Sequence, residues 1–183
     1  MNLWQSKLDY SLSKIDSDIA IIKSHFPRCV AVERAPVDLD RRGVDYIATL
    51  TGGAKIFIDV KTREKGASRY WNHGEPELAL EVYSVVEHKK VGWALSTASP
   101  VDYILYTFDR ADTDKSYMIP FQTLRKVFFE NARDWQTRYK VKYQSSDSWH
   151  SSAIFVPATV VLGAIRQAMC VDSWKHENRN LRR

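Results

Sequence analysis

The sequence predicts a fold of the α/β class, with α+β as the open alternative. The first observation is composition, because 183 residues, of which 44% are hydrophobic and 27% charged, suffice for one globular domain with a buried core. The second is that runs rich in β-branched and aromatic residues alternate with stretches of helical periodicity. The third is the lack of internal repeats, low-complexity tracts and linkers, which predicts a single domain over residues 1–183. Disordered, collagen-like and coiled-coil chains are excluded by the same composition.

The first third of the chain predicts one helix followed by three strands. Apolar residues recur at steps of three and four from residue 3 to residue 26, which is typical of one face of an amphipathic helix, and Pro27 ends it. These apolar positions are Leu8, Leu12, Ile15, Ile19, Ile22 and Phe26. Residues 29–32 are a short apolar run suited to a strand, and residues 43–50 and 54–61 predict a hairpin around a turn with two glycines.

The rest of the chain predicts further strands, two helices and a tail. The predicted strands are residues 77–86, 102–108 and 116–119, with 153–156 as an edge strand. The predicted helices are residues 121–139 and a second helix that has Pro157 in its first turn and ends near residue 169. A polar, basic tail is expected from about residue 172.

Charge and cysteine content limit the classes of function. The formal net charge is +5, and the excess is concentrated in residues 121–183, which hold 11 of the 27 Lys and Arg but only 5 of the 22 Asp and Glu. An anionic partner is therefore plausible but not demanded. The two cysteines show no metal-ligand or disulfide spacing, so we expect a reducing, cytoplasmic location. No signal-type or membrane-spanning apolar segment is present, so no membrane partner is expected.

One hairpin carries the residues that suggest chemistry. Side chains alternate along a strand, so Asp59 and Lys61 share one face. With the three-residue loop Thr51-Gly52-Gly53, and Gly53 in the left-handed conformation, Leu50 faces Ala54 and Asp45 lies directly opposite Asp59. A two-residue Gly52-Gly53 turn would instead set Asp45 opposite Val60, on the other face. Both registers are open from the sequence.

Two carboxylates on neighbouring strands repel each other unless a cation or a proton lies between them. Mg²⁺ prefers carboxylate and carbonyl oxygens, so Asp45, Asp59 and the Val60 carbonyl are predicted ligands, with Mn²⁺ expected to substitute. Lys61, beside the metal, is predicted to orient or help deprotonate the attacking water. The simpler alternative is a cross-strand ion pair on an ordinary hairpin surface.

The order Gly43-Val44-Asp45, a glycine-containing turn and then Asp59-Val60-Lys61 resembles the PD-(D/E)XK nuclease superfamily, which includes restriction endonucleases and Holliday-junction resolvases. The resemblance implies an αβββαβ core with a central mixed sheet flanked by helices, and a Mg²⁺-dependent deoxyribonuclease activity. Asp45, Asp59 and Lys61 would be its catalytic residues. Two departures are Val44 in place of proline and Asp59 in place of the commoner glutamate.

Some members of the superfamily add a glutamate from the first helix, but the predicted helix contains only Asp9, Asp16 and Asp18. Glu33, just before the hairpin, and Glu81, which interrupts an apolar strand, are therefore the two candidates for an additional metal ligand.

Basic residues interleaved with aromatic residues follow the hairpin. Arg63, Lys65 and Arg69 are candidates for contact with duplex or branched DNA, because cations of this kind can grip a phosphate backbone. Pairing of two copies into a homodimer is open. Two other functions stay open: a non-catalytic nucleic-acid- or protein-binding module on a nuclease-like scaffold, and an RNA-cleaving enzyme with the same kind of metal site.

Overall fold

The computed structural model describes residues 14–63, 74–108, 115–145 and 149–180. Its elements, in chain order, are α1 (Ile15–His25), β1 (Cys29–Arg34), α2 (Val37–Asp40), β2 (Tyr46–Leu50), β3 (Lys55–Arg63), β4 (Glu77–Val85), β5 (Lys90–Val91), a 3-10 turn (Trp93–Leu95), β6 (Tyr103–Phe108), β7 (Ser116–Pro120), α3 (Phe121–Arg138), β8 (Lys140–Ser145), β9 (His150–Pro157) and α4 (Ala158–Asn180). The α/β class is confirmed, with a mixed central sheet and flanking helices.

A five-stranded sheet carries the predicted hairpin. Its strand order is β1-β2-β3-β6-β7, and every neighbouring pair is antiparallel except β3 and β6, which are parallel. A parallel pair needs a long crossover connection. Within residues 74–102 this crossover contains strands β4 and β5 and the 3-10 turn, where the αβββαβ order predicts a helix.

A second, four-stranded antiparallel sheet has the order β5-β4-β9-β8. The prediction that residues 153–156 form an edge strand was wrong, because β9 lies between β4 and β8. Strand β8 was not predicted, although Val141 and Tyr143 alternate with polar residues as in a strand, because only two apolar residues carry this pattern. Pairing with β9 supplies the main-chain hydrogen bonds that make this polar segment a strand.

Helix α4 extends well beyond the end predicted near residue 169. Pro157 is the last residue of β9 rather than a residue of the helix, which begins at Ala158. Residues 172–180, predicted as a tail, continue the helix, and no glycine or proline between residues 164 and 180 interrupts it. The part of the predicted first helix before residue 14 lies outside the described residues.

The two faces of the five-stranded sheet contact separate apolar clusters. One cluster joins Ile22 of α1 to Tyr46, Ile58 and Leu105, which lie on the sheet face toward that helix. The other, larger cluster includes the opposite face of the sheet together with β4, β9, α3 and α4. Phe57 packs against the larger cluster, so by strand alternation Asp59 and Lys61 point to that side.

Two further findings concern the described residues. Cys29 on β1 and Cys170 on α4 are free thiols. None of the helices in this part of the chain combines the length and the apolar character needed to cross a lipid bilayer.

Candidate active site

The turn of the β2–β3 hairpin sets the register of the two strands. Gly53 has a φ of +84°, in the left-handed region predicted for it, and its N–H donates a hydrogen bond to the Leu50 carbonyl. The last pair of the ladder is Tyr46 opposite Ile58. This is the register of the three-residue loop, so that prediction is confirmed and the two-residue alternative was wrong. Asp45 lies just before the paired residues, and its carboxyl interacts with that of Asp59.

Asp45 lies where the ladder between β2 and β3 ends. Its main-chain N–H donates to the Ile58 carbonyl at 2.8 Å, and its side-chain Oδ2 accepts the Val60 N–H at 2.7 Å. The Asp45 carboxylate therefore accepts the Val60 N–H in place of the main-chain carbonyl that would accept it in a regular antiparallel ladder. This bond holds the Asp45 side chain against the backbone of Val60, beside Asp59.

Asp59 is a buried carboxylate with a cationic neighbour. Only 6% of the residue is exposed, and its Oδ1 lies 2.6 Å from Lys61 Nζ. Burial raises the pKa of Asp59 to about 7; the Lys61 ammonium opposes this rise and the Asp45 carboxylate adds to it. The ionised form of Asp59 is thus poorly compensated by the described residues, and additional positive charge would be stabilising.

A third acid, Asp18 of α1, lies within electrostatic reach of Asp45. It is 8% exposed and accepts a hydrogen bond from the Tyr46 hydroxyl at 3.1 Å. Burial raises the pKa of Asp18, and the Asp45 carboxylate raises it further. The sequence held a signal for this residue, because Asp18 comes three residues after Ile15 and four before Ile22, on the apolar face of the helix. A charge on a buried face needs a partner or a function.

The two glutamates proposed as additional ligands lie in different surroundings. Glu33 is on β1 opposite Ile47, and its side chain is exposed. Glu81 is on β4, and its Oε2 accepts the Trp93 N–H at 3.1 Å. Burial raises the pKa of Glu81, while the Trp93 hydrogen bond and the charge of Lys61 lower it. The structure therefore brings Glu81, and not Glu33, within electrostatic reach of Lys61.

Of the three predicted nucleic-acid contacts, the structure describes one. Arg63 ends β3, and its guanidinium carbon lies 4.8 Å from the centre of the Phe155 ring. Lys65 and Arg69 lie outside the described residues.

Taken together, the site can bind a cation between Asp45 and Asp59 or share a proton between them. Within the described part of the chain, no group of three His, Cys, Asp or Glu side chains is arranged to hold a metal ion, so main-chain oxygens, water or substrate would complete a metal's coordination. A scan against protein-family models, a search of curated proteins and a search of solved structures found no match to the chain.

Proposed function

We propose that the chain is a divalent-metal-dependent nuclease that hydrolyses phosphodiester bonds in DNA. The observation that carries the proposal is the buried carboxylate of Asp59, which interacts with the Asp45 carboxyl and is paired with Lys61. Burying a carboxylate beside a second carboxylate is costly, so a hairpin with no function would gain stability by losing one of them. Perturbed acids of this kind cluster at catalytic sites.

Magnesium, with manganese as its substitute, fits the donors of this site. Carboxylate oxygens are preferred ligands of Mg²⁺. Burial raises the pKa of Asp59 and the Asp45 carboxylate adds to the rise, so a cation at this place would stabilise the ionised form. Asp45 and Asp59 would hold the ion, with the Val60 carbonyl as a third protein ligand and Asp18 or Glu81 as candidates for a further contact. When bound, the metal would polarise the phosphate and lower the pKa of a water molecule.

Lys61 is the residue of this site that would contact the attacking water and the phosphate of the substrate. Its side chain is 31% exposed, so its ammonium reaches from the buried carboxylate toward solvent. In hydrolysis a bond forms from a water oxygen to phosphorus, the bond to one sugar oxygen breaks, and that oxygen takes up a proton. An ammonium at this place orients the attacking water and stabilises the negative charge that develops on the phosphate oxygens.

The strand arrangement supports a restriction-endonuclease-like core. Helix α1 precedes three successive antiparallel strands, and β6 then adds parallel to β3. The sheet is the mixed sheet of an αβββαβ order, with Asp45 where one strand begins and Asp59 and Lys61 within the next. The departure from this order is that the described part of the β3–β6 connection contains β4, β5 and a 3-10 turn in place of a helix.

A non-catalytic nucleic-acid- or protein-binding module is the second candidate function. The favouring observation is that Lys61 Nζ already lies 2.6 Å from Asp59 Oδ1, which is what a purely structural ion pair would show. Such a module would bind nucleic acid in a salt-dependent way without hydrolysing it.

Cleavage assays distinguish the two. The purified chain would be incubated with plasmid, linear, branched and single-stranded DNA and with RNA, in Mg²⁺, Mn²⁺ or EDTA. We expect metal-dependent cleavage of DNA that is lost in Lys61→Ala and kept in Lys55→Ala, since Lys55 is an exposed lysine near the other end of β3. Cleavage of RNA alone would indicate the ribonuclease alternative, and no cleavage of any substrate would favour the binding module.

A further inference from the structure

The two faces of the four-stranded sheet differ sharply in chemistry. Leu78 and Leu80 of β4 and Ile154 and Val156 of β9 are buried in the larger apolar cluster. Because side chains alternate, the intervening positions face the other way. Those positions include Glu77, Ala79 and Glu81 on β4, Ser151, Ala153 and Phe155 on β9, and Lys140, Lys142 and Gln144 on β8. The second sheet therefore presents a largely polar and charged face, named here the charged face.

A small cleft of about 120 Å³ lies between the charged face and the end of β3. Arg63 lines it from the five-stranded sheet, and Lys142, Gln144 and Ser151 line it from the second sheet. The cleft thus combines two cationic side chains with an amide and a hydroxyl, which are groups that contact phosphate oxygens in nucleic-acid complexes, and with the single carboxyl of Glu81.

Both cations of the cleft lie against the ring of Phe155. The Arg63 guanidinium carbon and the Lys142 Nζ lie 4.8 Å and 5.0 Å from the centre of the Phe155 ring, which is itself 3% exposed. Two like charges on one ring repel each other, and a nearby anion relieves that repulsion. The carboxyl of Glu77, which is 7% exposed, interacts electrostatically with both cations, and both cationic side chains line the cleft.

The cleft adjoins the candidate active site. Arg63 follows Lys61 by two residues on the same side of β3, a step of about 6.6 Å along a strand. Trp93 connects the two places, because it lines the cleft and its ring centre lies 5.7 Å from Lys61 Nζ. A nucleic-acid strand with its scissile phosphate at Lys61 would extend into this cleft.

We propose that the cleft binds a backbone phosphate of DNA next to the scissile phosphodiester, with Arg63 and Lys142 as its cationic ligands. Gln144 and Ser151 are placed to add neutral hydrogen bonds to the same phosphate. The position of the scissile bond rests on the proposed nuclease function, whereas the phosphate contact itself does not. Phosphate contacts of this kind position a duplex without contacting its bases, so this binding is independent of DNA sequence.

Equilibrium binding of a fluorescein-labelled DNA duplex, followed by fluorescence anisotropy in EDTA at several salt concentrations, tests this proposal without cleavage. The variants are Lys142→Gln and Arg63→Gln, which keep most of the aliphatic stem, with Lys142→Arg as the rescue and Lys55→Ala as the matched control. Loss of one phosphate contact lowers the salt slope by about 0.9 and weakens binding about eightfold at 0.1 M salt. We expect this loss in both glutamine variants and wild-type binding in Lys142→Arg and Lys55→Ala.

Several results would overturn the proposal. These are wild-type affinity and slope in Lys142→Gln, an equal loss in Lys55→Ala, or no binding of DNA by the wild-type chain. Thermal unfolding of each variant checks that it is folded, and Arg63→Gln provides the same test if Lys142→Gln does not fold. The proposed nuclease function can fail separately from this proposal. If the chain binds DNA through Lys142 but does not cleave it, the phosphate-binding proposal stands and the nuclease function is refuted. If the chain cleaves DNA but its binding does not depend on Lys142 or Arg63, the phosphate-binding proposal is refuted.

Discussion

Replacing Asp59 with asparagine tests whether the buried carboxylate destabilises the metal-free protein. Asparagine keeps the size and shape of the side chain and removes its charge. Burial raises the pKa of Asp59 from 3.8 to about 7 in the folded chain, even with Lys61 beside it. A rise of about 3 in the pKa corresponds to roughly 4 kcal/mol at 1.36 kcal/mol per pKa unit.

The direction of the pH dependence follows from the sign of this change. Because the folded state binds the Asp59 proton more tightly than the unfolded state, the stabilisation from this group is full below about pH 4 and is lost as the pH rises to about 7. Asp59→Asn does not titrate. We therefore expect the variant to exceed the wild type in unfolding free energy by about 2 kcal/mol at pH 5 and about 4 kcal/mol at pH 8.

Urea unfolding followed by circular dichroism at pH 5 and pH 8, first in EDTA and then in Mg²⁺, measures the effect. A bound ion at ten times its dissociation constant stabilises the folded state by about 1.4 kcal/mol, and we expect this gain in the wild type and not in Asp59→Asn. Asp134→Asn is the control, since its side chain is 56% exposed on α3 and should show no such pH-dependent gain. An Asp59→Asn variant less stable than the wild type at pH 8 in EDTA would refute the reasoning.

Three further predictions concern other positions. Lys61→Ala should abolish metal-dependent plasmid nicking while its circular-dichroism spectrum stays that of the wild type, and retained nicking would contradict its role. Phe128→Ala should lower the free energy of urea unfolding by about 3–5 kcal/mol because Phe128 is fully buried. Phe129→Ala, at a position 77% exposed, should stay within about 0.5 kcal/mol of the wild type, and equal losses of stability in the two variants would contradict this packing. Gly53→Ala should destabilise the protein by about 1–2 kcal/mol because the φ of Gly53 is +84°. Gly163→Ala should stabilise it by about 0.5–1 kcal/mol because Gly163 is exposed within α4 and a Cβ there meets no other atom. A higher unfolding midpoint for Gly53→Ala than for Gly163→Ala would contradict both predictions.

Local sequence predicted the hairpin at the centre of the site and limited it to two registers, of which the structure selects one. Gly53 adopts the left-handed conformation that a three-residue loop requires, and this fixes the register in which Asp45 meets Asp59. Strand alternation then sets Asp59 and Lys61 on one face. Turn chemistry and alternation act over a few residues, so they can be read without knowledge of the rest of the fold.

Contacts between distant segments were harder to predict. The sequence favours Glu33 and Glu81 over Asp18 as additional ligands, but the structure sets the Asp18 carboxyl near Asp45 while Glu33 is exposed. Which acid of a helix faces a strand depends on how the helix packs, and the sequence gives only the apolar stripe. The same limit applies to β8, a polar segment that is a strand because β9 lies beside it.

The sequence by itself predicted the α/β class, limited the hairpin to two registers and set Asp59 and Lys61 on one face, because each follows from periodicity or turn geometry within about twenty residues. The structure selected the register of the three-residue loop. Only the tertiary structure decided that Asp59 is 6% exposed, since burial depends on what covers a residue from elsewhere in the chain. It also decided that Lys142 of the second sheet and Arg63 of the first both lie against the Phe155 ring. Such a meeting depends on how two sheets pack, and the packing is set by the summed burial of many side chains rather than by any local pattern.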